Sequence, residues 1–421
     1  MDLEAQYDAI ARCNRCGFCQ VACPVFRATG HESGVARGRV ALLRALVEKR
    51  IAWNEALEEP LFNCLGCGAC TANCFPAVAT ADLILDARNE YLDRVGRGRL
   101  HRLLFNRLLP YPRRLRLAAR AVALARRSGL SRLAGALGLL RVFGRDLARA
   151  QHVVDRLPQR AFRQRVEPGS LRGQGDLRIG YFVGCGTDVL VPEAAEATLN
   201  ALLARAAVVE VLENCCCGLP AASYGDRPAA QALAGKNLDL LEAGPFDLVV
   251  TDCSSCAAFL KKYPRLFASD DPRHGRAMAI AGRVRDLIEV LSPAGALRPT
   301  RDAEPVIATY HDPCHASRGQ GLVREPREIL RSLPGVEYRE MPEADWCCGG
   351  AGSYALAHYD LARHVLDRKI DNLQRTGANL LVTSCPACIV HLRFGVRLRG
   401  LPVRVCHLAE LEIKGSGAYI G

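Results

Sequence analysis

Cysteine spacing constrains this chain more than any other feature of its sequence. Near the amino terminus, four cysteines follow one another with the spacing Cys-x2-Cys-x2-Cys-x3-Cys, and the same spacing returns further along. Three thiolates, each separated from the next by two residues, can wrap one cubane iron–sulfur cluster. The fourth, beyond a turn, is available to the other cluster. The sequence therefore predicts two [4Fe-4S] clusters, one held by Cys13, Cys16, Cys19 and Cys74 and the other by Cys64, Cys67, Cys70 and Cys23.

Zinc is the main alternative for these two runs, but it is weaker. Zinc sites usually combine two separated Cys-x2-Cys pairs, and a zinc ion has no use for four thiols in so tight a run. A proline follows Cys23 directly, as is usual, whereas Cys74 is followed by Phe75 and only then by Pro76. This displacement weakens the prediction for the geometry of the second turn but not for its ligation.

Most of the other cysteines fall within an internal repeat. From Leu177 onward, apolar β-rich runs alternate with helical runs, and the whole pattern returns with a nearly constant offset. Such a repeat indicates a duplication, and the alternation predicts an α/β unit with a largely parallel sheet in each copy. The equivalent cysteines are Cys185, Cys216, Cys217, Cys253 and Cys256 in the first copy and Cys314, Cys347, Cys348, Cys385 and Cys388 in the second.

In both copies these cysteines fall just past the predicted strand ends, where open α/β sheets present their ligand sites. We therefore expect two similar lobes, each with a cysteine-lined pocket, facing each other across a pseudo-two-fold axis. A single cubane or a zinc ion held by four of the five thiols remains an alternative. In the first copy the extra Cys215 leaves the register of the ligands open, and Cys406 is expected to be a buried core thiol.

Histidines accompany the second set of cysteines. His311 and His315 flank Cys314, and His407 follows Cys406. A histidine beside a cluster can tune its potential or move a proton, but more often it satisfies a carbonyl at a strand end. The chain has no complete phosphate-binding fingerprint, because the segment 184–190 lacks the third glycine. No flavin or nicotinamide site and no catalytic residue is predicted in this chain.

The middle of the chain is free of cysteine and strongly basic. Between Arg94 and Arg165 there are 19 arginines, no lysine and only two aspartates. Leucines recur there at helical spacing, broken by Pro110 and Pro112. One interpretation is an amphipathic hairpin that docks on an anionic bilayer or a membrane subunit; the other is a helical linker whose leucines pack on its own domain while its arginines face solvent.

The start of the chain lacks a secretory signal, and no run of 18 apolar residues suggests a membrane span. We therefore expect a cytoplasmic protein that is at most peripheral on the inner face of the membrane. Its 421 residues, 49% of them hydrophobic, are enough for several domains. The predicted domains are a ferredoxin domain, a basic linker or docking segment and two cysteine-rich lobes, at 1–98, 99–170, 171–300 and 301–421.

These motifs resemble known families. The helical insert around 38–47, between the two cysteine runs, is similar to the α-helical ferredoxin domain of fumarate reductase and succinate dehydrogenase iron–sulfur subunits. The duplicated lobes resemble the cysteine-rich CCG domain of heterodisulfide reductase catalytic subunits and of glycolate oxidase iron–sulfur subunits. The run 347–356, with Lys369, looks closest to the glycolate oxidase subunit and its D-lactate-oxidising relatives.

The resemblance implies further properties. Each lobe is expected to hold a further [4Fe-4S] cluster, of the noncubane type in the heterodisulfide reductase family. The glycolate oxidase resemblance implies an electron-transfer subunit that takes electrons from a separate FAD-containing oxidase of a 2-hydroxy acid and passes them to a quinone or membrane carrier, with no role for nucleic acid. The alternative is a heterodisulfide reductase-like catalytic subunit, which the complete motif Cys385-Pro386-Ala387-Cys388 favours.

Overall fold

The structure of this chain is a computed structural model that describes residues 3–129, 145–150, 152–154, 157–166, 168–292 and 306–411. Its amino-terminal part is helical, and no strand occurs among residues 3–129. In the helix Ala36–Val47, Val40, Leu43 and Leu46 are buried on one side, as the apolar spacing of an amphipathic helix requires. The α-helices of this domain are Tyr7–Ala11, Phe18–Ala22, Pro24–Thr29, Ala36–Val47, Glu58–Phe62, Ala69–Ala72 and Thr80–Val95.

The described part of the basic segment is mainly helical, with short turns and irregular stretches between its helices. A π-helical turn at Leu103–Leu108 ends before the two prolines, and Pro112 then begins the next helix at a position where its missing N–H costs nothing. The segment between 130 and 144 lies outside the described residues. Its described helices are Arg99–Arg102, Leu103–Leu108, Pro112–Arg127, Arg145–Ala150 and Phe162–Arg165.

The burial of the helix Pro112–Arg127 differs from that of a linker whose leucines pack on its own domain. Arg116 and Ala123 are its buried residues, whereas Leu117 and Leu124 are more than half exposed. Arg116 reaches inward because its guanidinium group pairs with Glu213, with a nitrogen–oxygen distance of 2.6 Å. The helix is thus attached to the protein through a charge, and several of its apolar side chains face solvent.

A buried ion pair ties the end of the basic segment to the first lobe. The Arg163 guanidinium donates to Asp188 at 3.0 Å, and it also donates to the carbonyls of Leu212 and Asn214. The backbone N–H of Arg163 donates to the other Asp188 oxygen at 3.0 Å. Both side chains are about 1% exposed, so the pair is held in a region of low dielectric.

Two sheets form the carboxy-terminal half of the chain. The strands are β1 (Gly169–Arg172), β2 (Leu177–Tyr181), β3 (Ala206–Val211), β4 (Leu248–Thr251), β5 (Val284–Asp286), β6 (Val306–Tyr310), β7 (Val336–Tyr338), β8 (Leu380–Thr383) and β9 (Arg404–His407). The first sheet has the order β1-β3-β2-β4-β5 and the second the order β7-β6-β8-β9, so both share one four-strand pattern. Each strand pair in the described residues is parallel except β1 with β3, which adds an antiparallel edge to the first sheet.

Helices flank both sheets, and each of the two largest hydrophobic cores draws residues from both lobes. The predicted helical ferredoxin-like domain followed by two α/β lobes is therefore confirmed at this level. The α-helices of the first lobe are Cys185–Leu190, Pro192–Leu203, Leu219–Ser223, Arg227–Ala243, Ser254–Lys261, Pro272–Arg283 and Leu287–Leu291, and those of the second are Cys314–Gln320, Arg324–Ser332, Tyr354–Ala357, Tyr359–Thr376 and Pro386–Leu398.

The two lobes meet where equivalent loops approach each other. The Ser254 N–H donates to the Ser384 carbonyl at 3.1 Å, and the two hydroxyl groups lie 2.8 Å apart. Gln320 donates to Asp286 across the same junction at 3.0 Å. Contacts between equivalent segments are what a two-fold relationship produces, as in an isologous dimer interface.

Candidate metal centres

Four of the cysteines predicted to act together line one pocket of the helical domain. Cys13, Cys16, Cys19 and Cys74 all border it, together with Cys70 from the second run. Cys16 is exposed, while the other three are partly buried. The fold thus places Cys74 of the second run beside the first three cysteines of the first run, as the crossed assignment requires.

The cysteines of the second predicted set lie close to one another. Burial raises the pKa of Cys70, and the nearby Cys64, Cys67 and Cys23 thiolates raise it further. Burial also opposes ionisation of Cys64, but the positive charges of Arg39 and Arg88 outweigh it and lower the pKa of this thiol. The second set is therefore a compact group of thiols, in which nearby guanidinium groups favour the thiolate form of Cys64.

In the first lobe, the five predicted thiols converge at the carboxyl edge of the sheet. The Sγ atoms of Cys185 and Cys216 lie 3.7 Å apart. Hydrogen bonds from Cys216 and Cys256 lower the pKa of Cys217 to about 5. Cys253 immediately precedes the helix Ser254–Lys261; a hydrogen bond with Cys256 lowers its pKa, but the one with Cys385 and burial outweigh it and raise the pKa well above its usual value.

Cys215 points away from this group. Its thiol donates to the Asn237 side-chain oxygen at 3.2 Å and to the Leu233 carbonyl at 3.6 Å. Burial raises the pKa of Cys215 to about 12, which keeps the thiol protonated and able to donate. The sequence run of three cysteines left the register open; the geometry favours Cys216 and Cys217 as the pair that faces the pocket.

In the second lobe, the thiols are equally close. The Sγ atoms of Cys348 and Cys388 lie 3.4 Å apart, and Cys347 interacts directly with Cys314. The N–H groups of Gly349 and Gly350 each donate to a cysteine sulfur two residues earlier, at 3.4 Å. Backbone donors of this kind stabilise thiolates, so this pocket fits a metal cluster with sulfur ligands.

The histidines near the second set have different roles. His407 donates to the Asp252 carbonyl at 2.8 Å, which is the structural role considered from the sequence. His315 contacts the Ser255 hydroxyl at 3.0 Å. His311 instead faces Cys348 and Cys388, with one ring nitrogen and the two sulfurs all within 4.8 Å of one another.

Two further polar residues beside this pocket were not assigned a role from the sequence. His391 donates from Nδ1 to the Cys348 carbonyl at 2.8 Å. Lys369 is fully buried, and burial lowers its pKa to about 8 while it donates to the carbonyls of Glu343 and Ala344. Comparison of the two repeats could have drawn attention to both, because His391 and Lys369 stand where the first lobe has Phe259 and Asn237.

Two contacts between cysteines join the helical domain to the second lobe and the two lobes to each other. The side chains of Cys67 and Cys347 interact directly, and this contact is the largest cause of the strongly raised pKa of Cys67. Between the lobes, a hydrogen bond from Cys253 is the largest cause of the strongly lowered pKa of Cys385. The helical domain is thus joined to the second lobe, and the second lobe to the first.

The backbone conformation explains why a glycine follows each vicinal cysteine pair. Gly218 and Gly349 have φ values of +96° and +82°, a left-handed region that disfavours side chains. A Cβ at Gly349 would also lie 2.6 Å from the Ala362 carbonyl oxygen. Only glycine lets the chain turn here and direct both sulfurs inward.

Replacing Gly349 with alanine should therefore destabilise the second lobe and lower its iron content. We expect the free energy of unfolding to fall by about 2 kcal/mol more than in the matched variant Gly352→Ala. Gly352 also has a positive φ, of +64°, but a Cβ there would have no neighbour within 4 Å. Thermal melting and iron analysis of the two variants measure the difference; equal losses would contradict the steric explanation.

Four stretches of this chain match known protein families. A 4Fe-4S dicluster domain matches residues 9–77, and a cysteine-rich domain matches twice, at 179–261 and 308–393. The linker region of the glycolate oxidase iron-sulfur subunit matches residues 96–154. The described residues include no helix that is long and apolar enough to cross a membrane.

Several curated proteins are similar to this chain. A probable glycolate oxidase iron-sulfur subunit of Bacillus subtilis is 32% identical over 97% of this chain and 94% of its own. The glycolate oxidase iron-sulfur subunit of Escherichia coli is 29% identical, covering 91% and 90%. One subunit of a fumarate reductase (CoM/CoB) from Methanothermobacter marburgensis is 32% identical, but over 56% of this chain and 45% of its own.

The resemblance based on cysteine motifs is therefore confirmed, and both the domain matches and the full-length relatives agree with the thiol groups described above. The dicluster match and the two cysteine-rich matches identify an iron–sulfur protein with a redox role. This chain belongs to the family of glycolate oxidase iron–sulfur subunits.

Proposed function

We propose that this chain is the electron-transfer subunit of a complex that oxidises a 2-hydroxy acid such as glycolate or D-lactate. A separate FAD-containing subunit oxidises the substrate, and this chain passes the electrons to a quinone or another membrane carrier. The observation that carries the proposal is the continuous series of thiol groups, joined by the contacts Cys67–Cys347 and Cys253–Cys385. The relatives named as glycolate oxidase subunits and as lactate utilization protein A support the substrate class.

We assign one iron–sulfur cluster to each of the four groups of thiols. Cubane clusters bind to the two crossed sets of the helical domain, and one further cluster, of the noncubane type, binds to the five thiols of each lobe. In such a relay, iron–sulfur clusters accept and donate single electrons, and the bonds of the substrate are broken in the partner subunit. The protein's contribution is to hold the four groups in sequence and to shield the inner ones from water.

The partner surfaces lie at different parts of the chain. Beside the exposed Cys16, the side chains of Phe18 and Phe75 are 62% and 90% exposed, and we assign this apolar rim to the flavoprotein. On the helix Pro112–Arg127, exposed leucines stand among arginines, and we assign this surface to the inner face of the membrane or to a membrane subunit.

A second candidate function is a catalytic subunit that reduces a disulfide or a quinone at a noncubane cluster. Both lobes keep a complete Cys-x2-Cys motif, and the two motifs face each other through Cys253 and Cys385. The partial similarity to a fumarate reductase (CoM/CoB) agrees with this candidate. The two functions share the same series of thiols and differ in where bonds are broken.

Anaerobic purification of the tagged native chain after detergent solubilisation tests the proposal. We expect a stoichiometric FAD protein to co-elute, identified by flavin absorbance and mass spectrometry. A chain that elutes without flavin, alone or with a cytochrome-type membrane subunit, would contradict the relay assignment and favour the second candidate.

A further inference from the structure

The two lobes contain the same five thiols but different side chains beside them. His311 follows strand β6 at the position where Phe182 follows strand β2, and His391 corresponds to Phe259. Phe182 and Phe259 are both buried in the hydrophobic core next to the first-lobe cysteines. The second lobe thus has two imidazole rings where the first has two benzene rings, and the repeats are not chemically equivalent.

His311 is buried without a conventional hydrogen-bond partner. It is 1% exposed, and neither ring nitrogen bonds to an oxygen or nitrogen atom of the described residues, so its interaction with the protein is the one with the Cys348 sulfur. Leaving a buried polar atom unpaired costs about 1–3 kcal/mol, so buried side chains normally have partners. The first lobe avoids this cost with phenylalanine, whereas in the second lobe the imidazole is directed at the sulfur of Cys348, one of the predicted cluster ligands.

The His311 ring points toward two of the cysteines that are predicted to bind a cluster in this lobe. One nitrogen of His311 lies within 4.8 Å of the Cys348 and Cys388 sulfurs, which are themselves 3.4 Å apart. These three donors are close enough to share one metal centre. His391 is engaged differently, because its Nδ1 donates to the Cys348 carbonyl.

We propose that a ring nitrogen of His311 is a ligand of the iron–sulfur cluster in the second lobe, so that this cluster has mixed nitrogen and sulfur ligation. The inference rests on the proposed function only in assigning a cluster to each lobe. Imidazole is a suitable ligand for iron, and replacing thiolate by neutral imidazole raises the potential of a cluster. The lobe that adjoins Cys67 therefore differs in redox chemistry from the lobe that follows it.

Pulsed EPR of the holoprotein with nitrogen-15-labelled histidine tests this ligation. We expect a strongly coupled nitrogen in the wild type and in His391→Phe, and its loss in His311→Phe, which introduces the residue of the first lobe. Iron and acid-labile sulfide are measured on every sample. The opposite design, Phe182→His, should add a second strongly coupled nitrogen in the first lobe.

Each outcome decides the inference. A wild-type protein with only weakly coupled nitrogens, or a strong coupling that survives in His311→Phe, overturns it. If His311→Phe loses the iron of the second lobe, then iron retained in His311→Cys supports ligation; if that variant also loses it, Phe182→His decides, and a new strong coupling supports the inference while its absence overturns it.

Iron analysis separates this result from the proposed function. Iron in excess of the two ferredoxin-domain clusters, without a strongly coupled nitrogen, overturns the ligation by His311 and leaves the relay assignment in place. Iron that accounts only for the ferredoxin domain, and is unchanged in Cys348→Ser, overturns both, because the second lobe then holds no cluster.

Discussion

Replacing Cys67 with serine is expected to stop electron delivery to the quinone while the partner flavin is still reduced by substrate. Cys67 belongs to the second thiol set and also contacts Cys347, so its loss affects both a ligand and the junction with the second lobe. Changes in residues that only support metal ligands cost about 10–100-fold, so removing a ligand should lower quinone reduction at least about a hundredfold. Stopped-flow flavin absorbance and quinone reduction measure the two steps separately.

Cys215→Ser is the matched control for this experiment. It makes the same substitution at a buried cysteine whose thiol donates to Asn237 rather than facing the pocket. A serine hydroxyl can keep that hydrogen bond, so quinone reduction should persist. Loss of flavin reduction in Cys67→Ser would show that the relay model is wrong, and unimpaired quinone reduction would show that electrons do not pass through this set.

Replacing Arg163 with leucine should destabilise the first lobe more than substitution of a nearby surface residue. The substitution leaves the Asp188 carboxylate buried with the Arg163 backbone N–H and the more distant Arg116 guanidinium, 3.5 Å away, as its remaining partners. Breaking a buried ion pair from one side costs about 3–5 kcal/mol. Amide exchange in the helix Cys185–Leu190, measured anaerobically, should accelerate at least about a hundredfold.

Arg165→Leu serves as the control for this prediction. Arg165 lies in the same short helix, but it is partly exposed and pairs with Glu193 and Glu196 at the surface. Exposed pairs contribute about 0–1 kcal/mol, so exchange in the first lobe should change little. Similar acceleration in both variants would contradict a special role for the buried pair.

Local signals in the sequence were sufficient for the fold class. Cysteine runs spaced for cubane clusters, an amphipathic helix between them and a repeated strand–helix pattern predicted a helical ferredoxin-like domain and two α/β lobes. The strands Val306–Tyr310 and Leu380–Thr383 occur where the apolar runs indicated. The antiparallel edge strand Gly169–Arg172 was not predicted, because its exposed residues give no apolar alternation.

The basic segment shows where such signals are insufficient. Its leucines predicted an apolar face and its arginines a solvated one, yet Arg116 is buried and Leu124 is exposed. The reason is that Asp188 and Glu213, far away in the sequence, offer buried or partly buried carboxylates to this helix. Charge pairing between distant segments cannot be inferred from periodicity.

For the candidate metal centres, spacing in the sequence predicts which cysteines can act together, because spacing within a loop or after a strand fixes the local direction of each thiol. The folded structure adds that Cys67 adjoins Cys347, that Cys253 adjoins Cys385, that Cys215 turns away and that His311 faces the second pocket. These relations depend on how separately folded domains dock and how side chains pack at long range. Residue spacing carries no information about such contacts, because they are fixed by the complementary surfaces that folding brings together.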